Sequence, residues 1–311
     1  MPLFSRALHL VRRAFGTVQL AERQQWFDQR QAHRHDKQIQ AALALGNAIT
    51  LTRLDSDRLK NTTLFQRCAQ IIDLLSPMDV DAGYVRLGKH HDGGYVMVDD
   101  ITPETVDAAY GFGISRDVSW DQAIAARGIS VLLFDHLVRE FPPLGPRARA
   151  FKVGITGHQR GPLLQTLGEL VAEHGHGDSD RLILKMDVEG AEWDVLNQVP
   201  GAVLDQFRQI VIEFHGLTAA VHRGDEFAEV IEALRRLNVT HQSVHVHGNC
   251  ARLPLWVGPL VLPDLLEVTF VRRRDWTGRL SPCRRQFPTE LDEPSIERWP
   301  DIFLGSFSVP R

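Results

Sequence analysis

The chain has 311 residues, 43% hydrophobic and 24% charged, enough for one large α/β domain plus an extension. A net charge of −4 removes the electrostatic case for a nucleic-acid or anionic-membrane partner. Cys68, Cys250 and Cys283 are too widely spaced for a disulfide framework or a zinc site. No apolar run reaches the ~18 residues of a transmembrane helix, and the N-terminal arginines lack the continuous apolar core of a secretory leader. A reducing, cytoplasmic setting is expected.

Residues 1–80 read as a helical extension of two or three helices. Leu3, Leu8, Leu10, Val11 and Phe15 interleave with Arg6, Arg12 and Arg13, which leaves a weak interfacial helix over residues 3–18 as one option. Ile39, Leu43 and Leu45 give a partial stripe; Leu64, Cys68, Ile71, Ile72 and Leu75 give a stronger one, ended by Ser76 and Pro77. His33, Arg34, His35 and Asp36 read as a solvated helix face, because histidines two apart diverge on a helix. The extension could serve as a packing element, a homodimer contact or a lid. Residues 84–98 then read as a hairpin turning at Asp92, Gly93 and Gly94.

Strand signals follow over residues 106–112, 129–135, 148–155, 182–187, 207–215, 239–247 and 265–271. Between them lie helical patterns, among them Leu163, Leu164, Leu167, Leu170 and Val171, and Phe227, Val230, Ile231, Leu234 and Leu237. This alternation predicts an α/β fold: a Rossmann-like, mostly parallel seven-stranded sheet with helices on both faces, closed by an antiparallel pair. The domain is expected over residues 81–275, with an irregular arm over 276–311 packed on it.

The most informative segment is residues 182–196. An apolar run ends in Asp187, Glu189 and Glu192, with Gly190 at the turn. A buried parallel strand delivers carboxylates to its C-terminal edge in this way, and ligands of open α/β sheets bind outside such edges. Helix capping is the bland use of the same acids. Upstream, Gly111 and Gly113 follow a strand, Asp117, Ser119 and Asp121 stand where a helix begins, and Asp135 closes the next strand 22 residues beyond Gly113. At that spacing a nucleotide-binding fold presents a carboxylate to ribose hydroxyls. There is no phosphate-cradling GxxxxGK[ST] loop, and Ile114-Ser115-Arg116 lacks the third glycine that a pyrophosphate needs. A ligand with ribose but no pyrophosphate fits better, and S-adenosylmethionine is such a ligand.

Tyr110-Gly-Phe-Gly-Ile-Ser115, Phe134-Asp-His136 and Lys185-Met-Asp-Val-Glu-Gly-Ala-Glu192 together resemble the FkbM-type branch of class I S-adenosylmethionine-dependent methyltransferases, over roughly residues 84–272. The segment from Arg86 to Val96 is similar to the stretch that precedes the cofactor domain in related proteins. The resemblance implies S-adenosyl-L-methionine as methyl donor and O-methylation of a small molecule, sugar or glycan. It places Tyr110, Gly111, Phe112, Gly113, Ser115, Asp135, His136 and Asp187 at the cofactor. Two positions depart from the pattern: Ala109 stands where many such enzymes carry an acid, and Ser115 where they carry the third glycine. Asp117 or Asp92 could supply the missing contact to the methionine end.

Methyl transfer needs alignment of the acceptor and a group to take its proton. Strand alternation sends Glu213 and His215 to one face, and His245 and His247 to one face. His215 is the favoured base, oriented by Glu189 or Glu213, as an imidazole tuned near neutral pH. No metal site is assigned, although Asp187, Glu189, Glu213, His215 and His247 would also suit Mg²⁺, Mn²⁺ or Fe²⁺ in a metal-assisted enzyme. Lys185 is expected to pair with a carboxylate. A non-catalytic nucleoside-binding scaffold, kept open by Ala109 and Ser115, and an NAD-dependent dehydrogenase, disfavoured by the missing glycine, are the rival readings.

Overall fold

The computed structural model describes residues 56–158, 161 and 163–309. The interfacial helix expected over 3–18, the stripe at Ile39 to Leu45 and the cluster at His33 to Asp36 lie outside them. The described chain opens with α1 (Ser56–Lys60) and α2 (Thr63–Leu75). Thr62 caps α2 by accepting the Phe65 N–H at 3.2 Å. Of the predicted stripe, Cys68, Ile71, Ile72 and Leu75 are buried, whereas Leu64 is half-buried and Phe65 takes the inward place beside it. β1 (Met78–Val80) leads into the predicted hairpin, β2 (Tyr84–Leu87) against β3 (Tyr95–Val98).

The sheet strands and helices then alternate. In chain order they are β4 (Ala108–Phe112), α3 (Ser119–Ala126), β5 (Ser130–Phe134), β6 (Ala148–Phe151), β7 (Gly154–Ile155), β8 (Leu164–Gln165), α4 (Leu167–Glu173), β9 (Leu182–Met186), α5 (Glu192–Gln198), α6 (Gly201–Leu204), β10 (Phe207–Phe214), α7 (Leu217–Ala220), α8 (Gly224–Thr240) and β11 (His241–Gly248). A small hairpin, β12 (Leu255–Val257) and β13 (Leu260–Leu262), precedes β14 (Leu266–Arg272) and β15 (Leu280–Pro282). Seven strands form one sheet in the order β11-β14-β10-β9-β4-β5-β6. β14 runs antiparallel to β10 and β11, and the other pairs are parallel. This is the Rossmann-like architecture expected from the sequence.

Strand alternation divides the core between the two faces. Tyr110, Phe112, Leu184 and Ile212 pack with α2, α4, α5 and α8 on one side; Ala109, Leu133, Ile183 and Val211 pack with α3 and the β2–β3 hairpin on the other. From β4 the chain builds outward through β5 and β6, then returns to build β9 and β10 on the opposite side. The order reverses between β4 and β9, so a crevice opens at their C-terminal ends.

Three element boundaries differ from expectation. The strand expected over 148–155 breaks into β6 and β7. The helix expected from Leu163 starts at Leu167, because Thr166 and Glu169 form a reciprocal capping box and Leu164 pairs with Gly154. α8 continues through Val239, which is 76% exposed, so the following strand begins at His241.

Beyond β14 the chain crosses the sheet edge as an arm. β15 pairs with β1, Phe287 is buried, and two strand histidines hold the arm down. His245 meets Asp292 at 2.8 Å, and His247 lies between Glu267 and Asp301 at 3.0 and 3.1 Å. Among the described residues, no helix is long and apolar enough to cross a membrane.

Candidate functional site

The crevice between β4 and β9 has two lobes. A larger cavity of about 950 Å³ lies between the glycine turn after β4, residues 134–142 and residues 187–191. A smaller one of about 460 Å³ lies over the ends of β9 and β10, beneath the turn of the β2–β3 hairpin. Gly113, Ser115, Arg116, Asp187 and Glu189 border both.

The glycine turn is where two backbones touch. Gly113 has φ +73°, and a Cβ there would lie 1.5 Å from the Asp187 carbonyl oxygen. The Asp187 N–H donates to Phe112 O at 3.2 Å, which locks the two strand ends together. Ser115 also takes a left-handed conformation, φ +50°, at the position where the resemblance expects glycine.

Asp135 stands at the edge of the larger lobe, but its carboxylate is engaged. One oxygen accepts the N–H groups of Ile114 and Ser115 at 3.1 and 2.9 Å. The other accepts those of Leu137 and Val138 at 2.8 and 3.2 Å. Asp135 thus staples the glycine turn to the loop after β5. Phe112 and His136 also border this lobe. Tyr110 does not reach the crevice. Its ring is buried against Phe134 and Phe207, with its hydroxyl 2.7 Å from His176 Nδ1, because residue 110 lies mid-strand, two residues short of the Phe112 end that borders the crevice. The expected cofactor contact at Tyr110 is corrected to a core role. Gly111 lies behind the smaller lobe, where a Cβ would come within 2.3 Å of Asp121 Oδ1.

The smaller lobe is polar and lined by charges of both signs. Lys185 is buried and donates to Gly113 O at 2.9 Å and to Asp187 Oδ2 at 3.3 Å. Burial opposes its charge, but Asp187, Asp121 and Glu213 outweigh that and raise its pKa. Tyr95, delivered by β3, donates its hydroxyl to the same Asp187 oxygen at 3.1 Å. Glu213 is buried and accepts from Asn249 Nδ2 at 2.8 Å. Burial, reinforced by Asp187 and Glu267, pushes its pKa well above the carboxylate range.

His215 and Glu213 share a face, as alternation requires, and both border the smaller lobe. The residue that orients the imidazole is Glu192, not Glu189 or Glu213: Glu192 Oε1 sits 3.1 Å from Nδ1 and also accepts the Val188 N–H at 2.8 Å. Glu213 contributes only its backbone carbonyl, at 3.1 Å from Nδ1. Nε2 is left facing the lobe, 3.8 Å from Asp187 Oδ1 and 3.6 Å from Glu189. Burial opposes the imidazolium, but Glu192, Glu213 and Asp187 raise the His215 pKa to about 9. The free protein therefore holds His215 protonated at neutral pH, rather than poised to titrate there. Asp187, Glu213 and His215 also present ligand atoms within 4.8 Å of one another. His247, on β11, is committed to Glu267 and to Asp301 of the arm.

Of the acids proposed for the missing motif position, Asp117 is engaged, with Lys89 at 2.9 Å and the Ser119 N–H at 2.9 Å, and Asp92 is exposed. Sequence reasoning did not single out Tyr95 or Asp121 as site residues, and named Glu192 only as one of the acids of the ledge. The hairpin motif and the first turns of α3 and α5 carried that signal.

Residues 146–239 match the Methyltransferase FkbM domain family. No curated protein matches the chain. Twelve chains among solved structures do. One is the Methanococcus jannaschii fibrillarin pre-rRNA processing protein, at 12% identity and a TM-score of 0.32, covering 62% of this chain and 83% of that one. The family match contains β9, β10 and the acidic ledge from Asp187 to Glu192; the glycine turn and Asp135 lie before it. Residues 146–239 are therefore similar to the Methyltransferase FkbM domain, and they lie within a Rossmann-like sheet.

Proposed function

We propose that this protein is an S-adenosylmethionine-dependent O-methyltransferase acting on a hydroxyl of a small molecule, sugar or glycan. One observation carries the reading: the acidic ledge that falls within the family match forms one wall of a two-lobed crevice at the sheet's switch point, and the glycine turn forms the other. The residues fit the cofactor. The larger lobe has room for a nucleoside, the close approach at Gly113 admits no side chain, and the smaller lobe sets six carboxyl groups (Asp92, Asp117, Asp121, Asp187, Glu189, Glu213) among Lys89, Arg116, Lys185, Arg252 and His215, so it offers both signs of charge to a zwitterionic amino-acid tail.

When bound, the cofactor supplies an electrophilic methyl group. The protein's own share is positioning and proton handling. Phe112, Gly113, Ser115, Asp135 and His136 form the nucleoside wall, where Asp135 acts chiefly by fixing the backbone. Lys185 and Tyr95 fix Asp187 at the junction of the lobes. His215, aimed by Glu192, turns Nε2 toward the acceptor side, with Glu189 and Glu213 beside it. A positive charge bound in the smaller lobe lowers its proton affinity by like-charge repulsion, which brings the imidazole closer to use as a base.

The first test is thermal stabilisation by S-adenosylmethionine, S-adenosylhomocysteine, NAD and NADP. A hundredfold excess over the dissociation constant stabilises by about 2.7 kcal/mol. Stabilisation by the two adenosyl ligands alone supports the reading; stabilisation only by NAD or NADP refutes it, and no response to any of the four favours a scaffold. Methyl transfer to a panel of hydroxyl acceptors, read by mass spectrometry, then tests O-methylation.

The spacing of Asp187, Glu213 and His215 favours a second, metal-assisted reading. Loss of activity in a chelator, restored by Mg²⁺ or Mn²⁺, would select it. Cytoplasmic residence belongs to the proposal and accords with three free cysteines. So does a homodimer through the N-terminal helices, which sedimentation would test.

A further inference from the structure

We infer that the Asp121 carboxylate receives the ammonium group at the amino-acid end of the methyl donor. The inference rests on the cofactor reading above and assigns a residue to one end of that ligand.

Asp121 sits in the first turn of α3, is 4% exposed and borders the smaller lobe. Its Oδ1 is buried with no hydrogen-bond partner. A buried carboxylate in that state lacks the compensation that buried charges require. The neighbouring acids are provided for: Asp187 by Tyr95 and Lys185, Glu213 by Asn249, and Asp117 by Lys89 and the Ser119 N–H. Asp92 is exposed to water. Lys185, a nearby cation, is already committed, with Phe112 O at 3.4 Å, Gly113 O at 2.9 Å and Asp187 at 3.3 Å.

The space that Asp121 occupies is reserved for it. A Cβ on Gly111 would come within 2.3 Å of Oδ1, so the first glycine of the turn makes room for this carboxylate rather than for the ligand itself. Ala109 lies two residues earlier on β4, on the same face as Gly111, and brings no charge. The acid absent from the strand is therefore supplied from the helix that packs over it. Burial pushes the Asp121 pKa up to about 6, against the field of Lys185 and with Asp117 adding to the rise, as befits an anion awaiting a counter-charge. The smaller lobe is continuous with the nucleoside lobe through Gly113, Ser115 and Asp187. A ligand whose adenosine fills the larger lobe thus directs its other end toward Asp121. A primary ammonium offers a compact charge and three donors to such a carboxylate.

The test compares S-adenosylhomocysteine with 5′-methylthioadenosine, which keeps the adenosine and thioether but lacks the amino-acid end. Calorimetry at pH 7.5 is run on the full chain and on Asp121→Asn. The substitution should weaken S-adenosylhomocysteine at least fivefold and leave methylthioadenosine within twofold. A smaller loss for S-adenosylhomocysteine, or an equal loss for both ligands, overturns the assignment. If the variant does not fold, the des-amino analogue of S-adenosylhomocysteine on the unmodified protein decides: binding at least fivefold weaker supports the contact, and anything closer overturns it. A native chain that binds neither adenosyl ligand removes the cofactor reading itself, and the role of Asp121 with it.

Discussion

Replacing Gly113 with alanine tests whether the glycine turn is set by backbone-to-backbone contact or by turn conformation alone. Two effects add. A left-handed residue with a Cβ costs about 1–2 kcal/mol. The new Cβ would also sit 1.5 Å from the Asp187 carbonyl oxygen, a backbone atom that moves only with its strand. Relieving that overlap parts Phe112 O from the Asp187 N–H and Gly113 O from Lys185, at about 1 kcal/mol each. Gly113→Ala should therefore lose about 3–4 kcal/mol, or roughly 10 °C in melting temperature for a domain of this size. Gly190 provides the control. Its φ is +106°, and a Cβ there would meet nothing within 4 Å. Gly190→Ala should lose only the conformational share, about 1–2 kcal/mol. Urea denaturation of both variants at unchanged m-value reads the difference. If the two lie within about 1 kcal/mol of each other, the close approach is not what fixes Gly113.

Ser115→Gly relieves a left-handed conformation, φ +50°, and should stabilise by about 1 kcal/mol while leaving nucleoside binding intact, as read by melting temperature and calorimetry. Glu192→Gln removes the charge that does most to hold the His215 proton, so the pKa should fall from about 9 toward the ordinary histidine value, followed by NMR of the imidazole. Because the folded-state pKa is raised, His215 contributes stability in full below about pH 6.5 that is lost as pH rises through about 9; the variant should lose that dependence. A His215 that titrates identically in both proteins refutes the pairing. Asp301→Asn weakens the latch of His247 on the arm and should speed tryptic cleavage after Arg298 about tenfold, the equivalent of about 1.4 kcal/mol, with the domain core left intact.

The sheet was legible because its strands are almost wholly apolar runs closed by acids, a pattern that buried parallel strands impose. The crevice was legible for the same reason: Asp187, Glu213 and His215 are fixed to strand ends, and their meeting follows from strand adjacency. Contacts that depend on a side chain's direction or on a helix's first turn were not legible. Tyr110 lies within the glycine motif, yet its mid-strand position, two residues short of the crevice, leaves it in the core. Asp135 has the spacing of a ribose ligand, yet its short side chain folds back onto four backbone amides. Glu192 and Asp121 sit at helix starts, where an acid in sequence looks like a cap. That Asp121 borders a lobe and that Glu192 reaches His215 depends on how α3 and α5 pack on the sheet. The Thr166–Glu169 box overrode the leucine spacing that suggested an earlier helix start.

Lys185 spans the gap between β4 and β9, grasping two carbonyls of one strand end and the carboxylate of the other. Clamped in this way, the two strand ends form a rigid floor. Breathing motions that admit and release a ligand then fall to the walls, the loop over residues 137–142 and the hairpin turn over residues 88–94. Substitutions in those walls should alter how fast ligands exchange, whereas substitutions in the floor should alter how tightly they are held.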